Sequence, residues 1–253
     1  MQQPSFNDHF STLANTYARH RPRYPDALFA YLAKISPSNA LAWDCATGNG
    51  QAAQNLASHF KRVIATDASS AQIQAAEAAS NVEYRVAPAE SSGLEAASID
   101  LCTVAQAIHW FNFEKFYAEV RRVLKPQGIF AIWTYTHSEI SPAIDGVMHN
   151  FYKEIRDYFP PERQWVDEKY ATLPFPFEEI APLPQFVMEA AWNLEDVLGY
   201  YRSWSGVKAF RERHGKSPLG GVESRLREVW EEPNHVRPVH WKLHLRVGKI
   251  PSE

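Results

Sequence analysis

Ala40-Leu41-Ala42-Trp43-Asp44-Cys45-Ala46-Thr47-Gly48-Asn49-Gly50 is the stretch on which the fold turns. Its first half is an apolar run of strand length and its second half is a glycine turn. Residues 51–59 then place Ala53, Leu56 and Ala57 on one side at helical spacing. A glycine turn between a first strand and a helix lets backbone come close to a ligand, and the helix start leaves N–H groups unpaired.

The rhythm continues on both sides of this stretch. Pro25 suits the first turn of a helix running to about Ile35, with Leu28, Tyr31 and Leu32 on one face. Downstream, Val63–Thr66, Val82–Val86, Ile99–Ala105 and Ile129–Tyr135 read as further strands. Between them lie an alanine-rich helix capped by Ser69 or Ser70 and reaching about Ala79, and a helix over Phe113–Leu124 stopped by Lys125-Pro126-Gln127-Gly128. Strands that alternate with helices and are apolar nearly throughout predict a parallel sheet covered on both faces. After residue 140 the pattern changes. Residues 142–157 read as a helix, and residues 160–184 as a proline-rich loop region anchored by Trp165, Tyr170, Phe175 and Phe177. Phe186–Ala191 reads as a strand, Leu194–Tyr201 and Val222–Trp230 as helices, and Trp241–Val247 as one last alternating strand.

Composition narrows the function. A chain of 253 residues with 45% hydrophobic content suits one core domain with an elaboration. A net charge of −3 without a basic stripe argues against nucleic-acid binding. The apolar runs fall short of the ~20 residues of a membrane span. Met1-Gln2-Gln3-Pro4 does not open a secretory signal, and Cys45 and Cys102 sit in strand-like runs as reduced, buried thiols, so a cytoplasmic protein is expected. Histidines are scattered; His240 and His244 share a face of the last strand without a third ligand, so no metal site is expected.

Asp67, ending the second strand as Thr66-Asp67, sharpens the reading of the turn. An acidic side chain there accepts hydrogen bonds from both hydroxyls of an unmodified ribose. With Gly48 and Gly50 it points to a cofactor that contains adenosine.

Five segments in order carry a family resemblance: Asp44–Gly50, Thr66–Ile73, Ala87-Pro88-Ala89-Glu90, Asp100–Phe111 and Leu124-Lys125-Pro126-Gln127-Gly128. Together they resemble the class I S-adenosylmethionine-dependent methyltransferases of small-molecule type (methyltransferase type 11, similar to trans-aconitate methyltransferase), over about residues 10–135 and more loosely beyond. The resemblance implies an α/β, doubly wound, mostly parallel seven-stranded Rossmann-like sheet with an α-rich aromatic insertion or lid. Residues 1–253 would form a single methyltransferase domain, with an N-terminal helical cap at 1–35, a cofactor-binding core at 36–139, the insertion at 140–184 and the rest of the sheet with helices at 185–253.

It also implies roles. Asp44, Ala46, Thr47, Gly48 and Gly50 would surround the methionine end of S-adenosylmethionine, with Asp67 on the ribose, Ile73 or the stem of Gln72 against the adenine face, and Ala68 also in the cofactor site. Ala89 and Glu90 would lie at the adenine edge, Gln106 and Ala107 beneath the sulfonium, and Tyr17 and Arg21 on a segment that closes over the cofactor. Ala46 stands where the family usually has glycine. Alanine is comfortable there at negative φ, and a left-handed conformation would strain it by roughly 1–2 kcal/mol.

The acceptor, a small molecule, would meet Trp110, Trp133, Tyr135, Tyr201 and Trp204, with Arg202 able to hold an acid group. Direct in-line displacement needs alignment above all, and O-methylation of a carboxylate or hydroxyl is the expected reaction. His109 is the best-placed base if a hydroxyl is used, its other reading being a structural hydrogen bond beside Trp110. A monomer or homodimer is expected. Two rivals stand beside this reading: an NAD(P)-dependent oxidoreductase on a related fold, although no Tyr-x-x-x-Lys pair occurs, and a cofactor-binding protein without catalysis.

Overall fold

The computed structural model describes residues 22–250. Seven strands form one sheet: β1 (Leu41–Cys45), β2 (Arg62–Asp67), β3 (Val82–Val86), β4 (Ile99–Ala105), β5 (Leu124–Thr134), β6 (Glu178–Glu179) and β9 (His244–Lys249). Their order across the sheet is β3-β2-β1-β4-β5-β9-β6. The pairs from β3 to β5 are parallel, and β9 runs antiparallel between β5 and β6. The order reverses between β1 and β4, so the carboxyl ends of those strands border the crevice where ligands of such sheets bind.

Period-2 alternation sorts the strand residues between two layers. Val63, Ala65, Ile129, Ala131 and Trp133 pack with Leu28 and Phe29 of α1 (Asp26–Ile35) and Ala53 and Leu56 of α2 (Gln51–Ala57). Ile64, Cys102, Val104, Phe130 and Ile132 face the other way, onto Phe116, Val120 and Val123 of α4 (Phe113–Val123). The alanine-rich helix α3 is shorter than its composition suggests, covering Ser70–Gln74. At the amino edge of the sheet the buried Asp100 is fully engaged. It accepts from Ser38 Oγ at 2.9 Å, from the backbone N–H of Ala40 and Leu41, and from Lys125 Nζ at 2.8 Å, which ties β1, β4 and β5 together.

The carboxyl-terminal half adds α5 (Pro142–Ile155), α6 (Arg163–Asp167), α7 (Leu194–Arg202), α8 (Ser205–His214) and α9 (Gly220–Trp230), with a two-stranded antiparallel sheet of β7 (Val187–Trp192) and β8 (Arg237–Lys242). Here the single last strand expected over Trp241–Val247 divides. β8 pairs with β7, the chain breaks at Leu243, whose N–H donates to the Phe186 carbonyl, and β9 enters the main sheet. Alternating hydrophobicity survives the change of partner because Trp241, Leu243 and Val247 are buried in both settings, so the pattern does not register the break. His240 and His244 therefore belong to different sheets. Among the described residues no group of three metal-ligating side chains occurs, and no helix is long and apolar enough to cross a membrane.

Candidate active site

The glycine turn adopts left-handed backbone at three places: Ala46 (φ 53°), Gly48 (φ 58°) and Gly50 (φ 87°). Gly50 has a double requirement, because a Cβ there would lie 2.4 Å from the Tyr84 hydroxyl. A Cβ on Gly48 would meet only Gln72 Oε1, at 3.8 Å, so backbone beside it is open to a ligand. Ala46 is in the strained case. Ala46→Gly is expected to raise stability by up to about 1 kcal/mol, relief of roughly 1–2 kcal/mol of left-handed strain being partly offset by about 0.4–1 kcal/mol of added unfolded-state entropy. Urea unfolding checks this, and a loss of stability would mean that the alanine methyl contributes packing that outweighs the strain.

Two carboxylates flank the turn. Asp67 Oδ2 accepts from the Gly48 N–H at 2.9 Å and Oδ1 from the Ser69 N–H at 2.8 Å, so the end of β2 fixes the shape of the turn. Asp44 is buried. Its oxygens accept from Thr47 Oγ1 at 2.5 Å and Thr103 Oγ1 at 2.7 Å. Burial pushes its carboxyl up to about 6, the neighbouring Asp67 charge adds to this, and the two hydroxyls act against it. No basic residue among those described forms a salt bridge with Asp44. A buried carboxylate with no counterion among the described residues, beside a second carboxylate and a glycine turn, is complementary to a cationic ligand.

The remaining predicted residues fall into clear groups. Gln72 is buried over the turn, Ile73 is half-buried beside it and Ala68 is exposed. Ala89 is buried, and Glu90 Oε1 accepts from the Asn112 N–H at 3.0 Å, which links the loop after β3 to the start of α4. Gln106 ends β4 in a left-handed conformation (φ 57°). Its N–H donates to the Trp133 carbonyl, Nε2 donates to the Tyr135 carbonyl at 3.1 Å, and Oε1 accepts from Thr134 Oγ1 at 2.6 Å. Strain held by three bonds to β5 marks this edge as a place where backbone is shaped for a purpose. Ala107 and His109 are buried, whereas Trp110 stays about a third exposed, at 36%. Tyr17 and Arg21 lie outside the described residues.

At the end of β5, Trp133 is fully buried edge-on to Tyr24 and Phe29, with an Nε1 that has no hydrogen-bond partner among the described residues. Tyr135 is buried. Tyr201 joins the same region through its hydroxyl, 3.0 Å from Ser138 Oγ, and packs on Trp204 at 4.6 Å. Arg202 does not join them. It is exposed and paired with Glu195 on the outer side of α7. His109 Nδ1 is hydrogen-bonded to the Tyr170 hydroxyl at 2.8 Å. Burial lowers its pKa to about 3, with the Arg163 charge contributing. Sequence reasoning missed Thr103, His137 and Arg163 at this edge, and placed Tyr170 as an aromatic anchor of the insertion without its bond to His109. Only Thr103, a hydroxyl inside an otherwise apolar strand, gave a signal that could have been read.

Comparison with known proteins now bears on what the edge binds. A family model described as a methyltransferase domain matches residues 43–132, from β1 to β5. A protein of Dictyostelium discoideum assigned as a methyltransferase is 36% identical over 231 residues, covering 89% of this chain and 88% of its own. The chain belongs to this methyltransferase family. A solved structure of a protein from Anaeromyxobacter dehalogenans, described as a type II methyltransferase, is 41% identical, with a TM-score of 0.86 over 92% of this chain and 99% of its own. A Saccharomyces cerevisiae protein assigned as an S-adenosylmethionine-dependent methyltransferase is 33% identical over 132 residues, 49% of this chain and 45% of its own. The chain is thus an S-adenosylmethionine-dependent methyltransferase. The described residues fit the donor, which carries sulfonium and ammonium cations: Asp44 is buried with no salt-bridge partner among them, and a Cβ on Gly48 would meet little of them.

Proposed function

We propose that this methyltransferase acts on a small molecule and methylates an oxygen, a carboxylate before a hydroxyl, with the acceptor at the carboxyl ends of β4 and β5. The observation that carries the reading is the protonation of this edge. His109 is held by Tyr170 and pushed down to about 3, and burial takes His137 to about 4. Burial raises the phenols of Tyr170 and Tyr201 well above their ordinary value. At neutral pH the described groups are therefore neutral and poor bases, which suits an oxygen that arrives already charged.

S-adenosylmethionine, when bound, supplies a methyl carbon whose bond to sulfur breaks as the nucleophile attacks, with the electron pair returning to sulfur. A carboxylate oxygen gives its lone pair to that carbon and becomes a neutral ester, so no proton changes hands. The protein's own part is to bind and align. Asp44 and the Ala46–Gly50 backbone would hold the methionine end, Asp67 the ribose hydroxyls, Ala68, Gln72 and Ile73 the adenine face, and Ala89 and Glu90 its edge. Gln106 and Ala107 would floor the reacting centre. Trp110, Trp133, Tyr135, Tyr201 and Trp204 would wall the acceptor from water.

Release of S-adenosylhomocysteine across a panel of carboxylic acids, phenols and amines tests the reading. Turnover of at least one acid, with a rate flat between pH 6 and 9, is expected. Methyl found only on nitrogen, or only on hydroxyls with a rate rising with pH, removes it. His109→Gln is expected to keep kcat within tenfold of the parent, because its imidazole is a hydrogen-bond partner of Tyr170. A loss of more than a hundredfold at unchanged KM would restore His109 as the base.

A further inference from the structure

The insertion after β5 brings a guanidinium to the acceptor edge. Helix α6 packs over the turn Ile108–Trp110 that follows β4, and it carries Arg163 at its start. The guanidinium carbon lies 5.5 Å from the centre of the Tyr152 ring and 5.1 Å from that of Phe159. The same two rings contact Trp204, and Tyr152 meets His137 edge-on at 4.6 Å. The Arg163 charge reaches His109 from the end of β4 and His137 from the end of β5 and lowers the pKa of both. Arg163 thus lies on a helix packed against the turn after β4 and over Tyr152, whose ring meets His137 just beyond β5.

Its own neutralisation is incomplete. Nε donates to Asp167 Oδ1 at 3.1 Å, and no carboxylate among the described residues accepts from its Nη groups. Asp167 is shared: both its oxygens accept from the Tyr152 hydroxyl, at 2.7 and 2.6 Å, and Arg156 Nε lies 3.9 Å away. Two guanidinium groups on one carboxylate leave a net positive charge, and the Arg163 side chain is 23% exposed. A planar fork held against aromatic rings by its bond to Asp167 and its interaction with the Tyr152 hydroxyl, with no carboxylate among the described residues on its Nη groups, matches the two oxygens of a carboxylate.

We propose that Arg163 determines acceptor specificity by binding a carboxylate of the acceptor through its Nη groups, against the wall formed by Tyr152, Phe159 and Trp204. The site thus selects acids over neutral compounds of the same shape. This rests on the small-molecule reading above, but its test measures binding without methyl transfer, so either can fail alone. The methionine carboxylate of the donor is the competing source of the same chemistry, and the experiment separates the two.

Isothermal titration of the protein saturated with S-adenosylhomocysteine uses matched probes: glutarate against glutaramide, and 4-hydroxybenzoate against 4-hydroxybenzamide. At least one acid should bind the parent tenfold or more tightly than its amide. Arg163→Met should bring that ratio close to one. Arg163→Lys, which keeps the charge but not the fork and holds the Asp167 pair, should reduce it at least threefold and serves if the methionine variant does not fold. The Kd of S-adenosylhomocysteine should change less than twofold in either variant. The proposal is overturned if no acid outbinds its amide, if the variants keep the full preference for the acid, or if they weaken S-adenosylhomocysteine tenfold, which would assign Arg163 to the cofactor.

Discussion

Asp67→Ala should weaken S-adenosylmethionine binding by about 1–3 kcal/mol, from about fivefold to over a hundredfold, because both ribose hydroxyls would lose a charged acceptor. Each carboxylate oxygen also takes one backbone N–H, from Gly48 and from Ser69. The same substitution strands those two N–H groups, so a weaker fold by about 1–3 kcal/mol accompanies the loss of binding. The two effects separate by ligand. Parent and variant should differ strongly for S-adenosylmethionine and little for a 2′,3′-dideoxy analogue that has no hydroxyls to offer. Calorimetric Kd values for both ligands decide it. An equal loss for the two would make Asp67 a brace of the glycine turn alone.

The bracing of the glycine turn by Asp67 marks the boundary of what the sequence could reveal. Its position at the end of a strand, and the glycine turn one strand away, were legible because local spacing carries them: five residues of strand, a turn, a helix. The parallel core was legible for the same reason, since Val63, Ala65 and Ile64 alternate between two layers that the period of a strand imposes. Contacts between residues far apart in the chain leave no such trace. Thr103 reaches Asp44 across 59 residues, and Tyr170 reaches His109 across 61. Both depend on which strands become neighbours. Arg163, in a short helix within a proline-rich stretch, had no periodicity to distinguish it from surface arginines, and Arg202 was the candidate because its planar fork suits a carboxylate and aromatic residues adjoin it in the chain. One helical step turns Arg202 outward to Glu195 while Tyr201 points inward to Ser138. The break between β8 and β9 shows the same limit for strands, where alternation reports which face is buried and not which partner buries it.

Asp44→Asn should stabilise the unliganded protein at pH 7 while lowering its affinity for S-adenosylmethionine tenfold or more. The folded-state pKa of Asp44, about 6, exceeds the ordinary carboxyl value of 3.8 because the group is buried and faces Asp67. The folded chain thus holds this proton more tightly than the unfolded chain. The stability it confers is complete below about pH 4 and is lost as the pH rises through 6. At pH 7 the ionised, buried carboxylate costs on the order of 3 kcal/mol, since each tenfold change in proton affinity is worth about 1.4 kcal/mol. Asparagine removes that cost and keeps one acceptor for Thr47 or Thr103, so a net gain of about 1–2 kcal/mol is expected at pH 7. The advantage over the parent should shrink to nothing near pH 4, where the parent carboxyl is neutral as well. Binding changes in the opposite direction, since a cationic donor is attracted to the carboxylate and not to the amide. In the parent the affinity for S-adenosylmethionine should fall between pH 7 and pH 5 as Asp44 takes up its proton, and in the variant this dependence should be absent. Denaturant unfolding at pH 7 and 4, with calorimetric titration across the same range, reads both. A variant less stable than the parent at pH 7, with unchanged donor affinity, would make the buried carboxylate a brace between β1 and β4 with no part in binding the donor. If both results hold, the charge costs the empty fold stability because the ligand that would neutralise it is the cationic methyl donor.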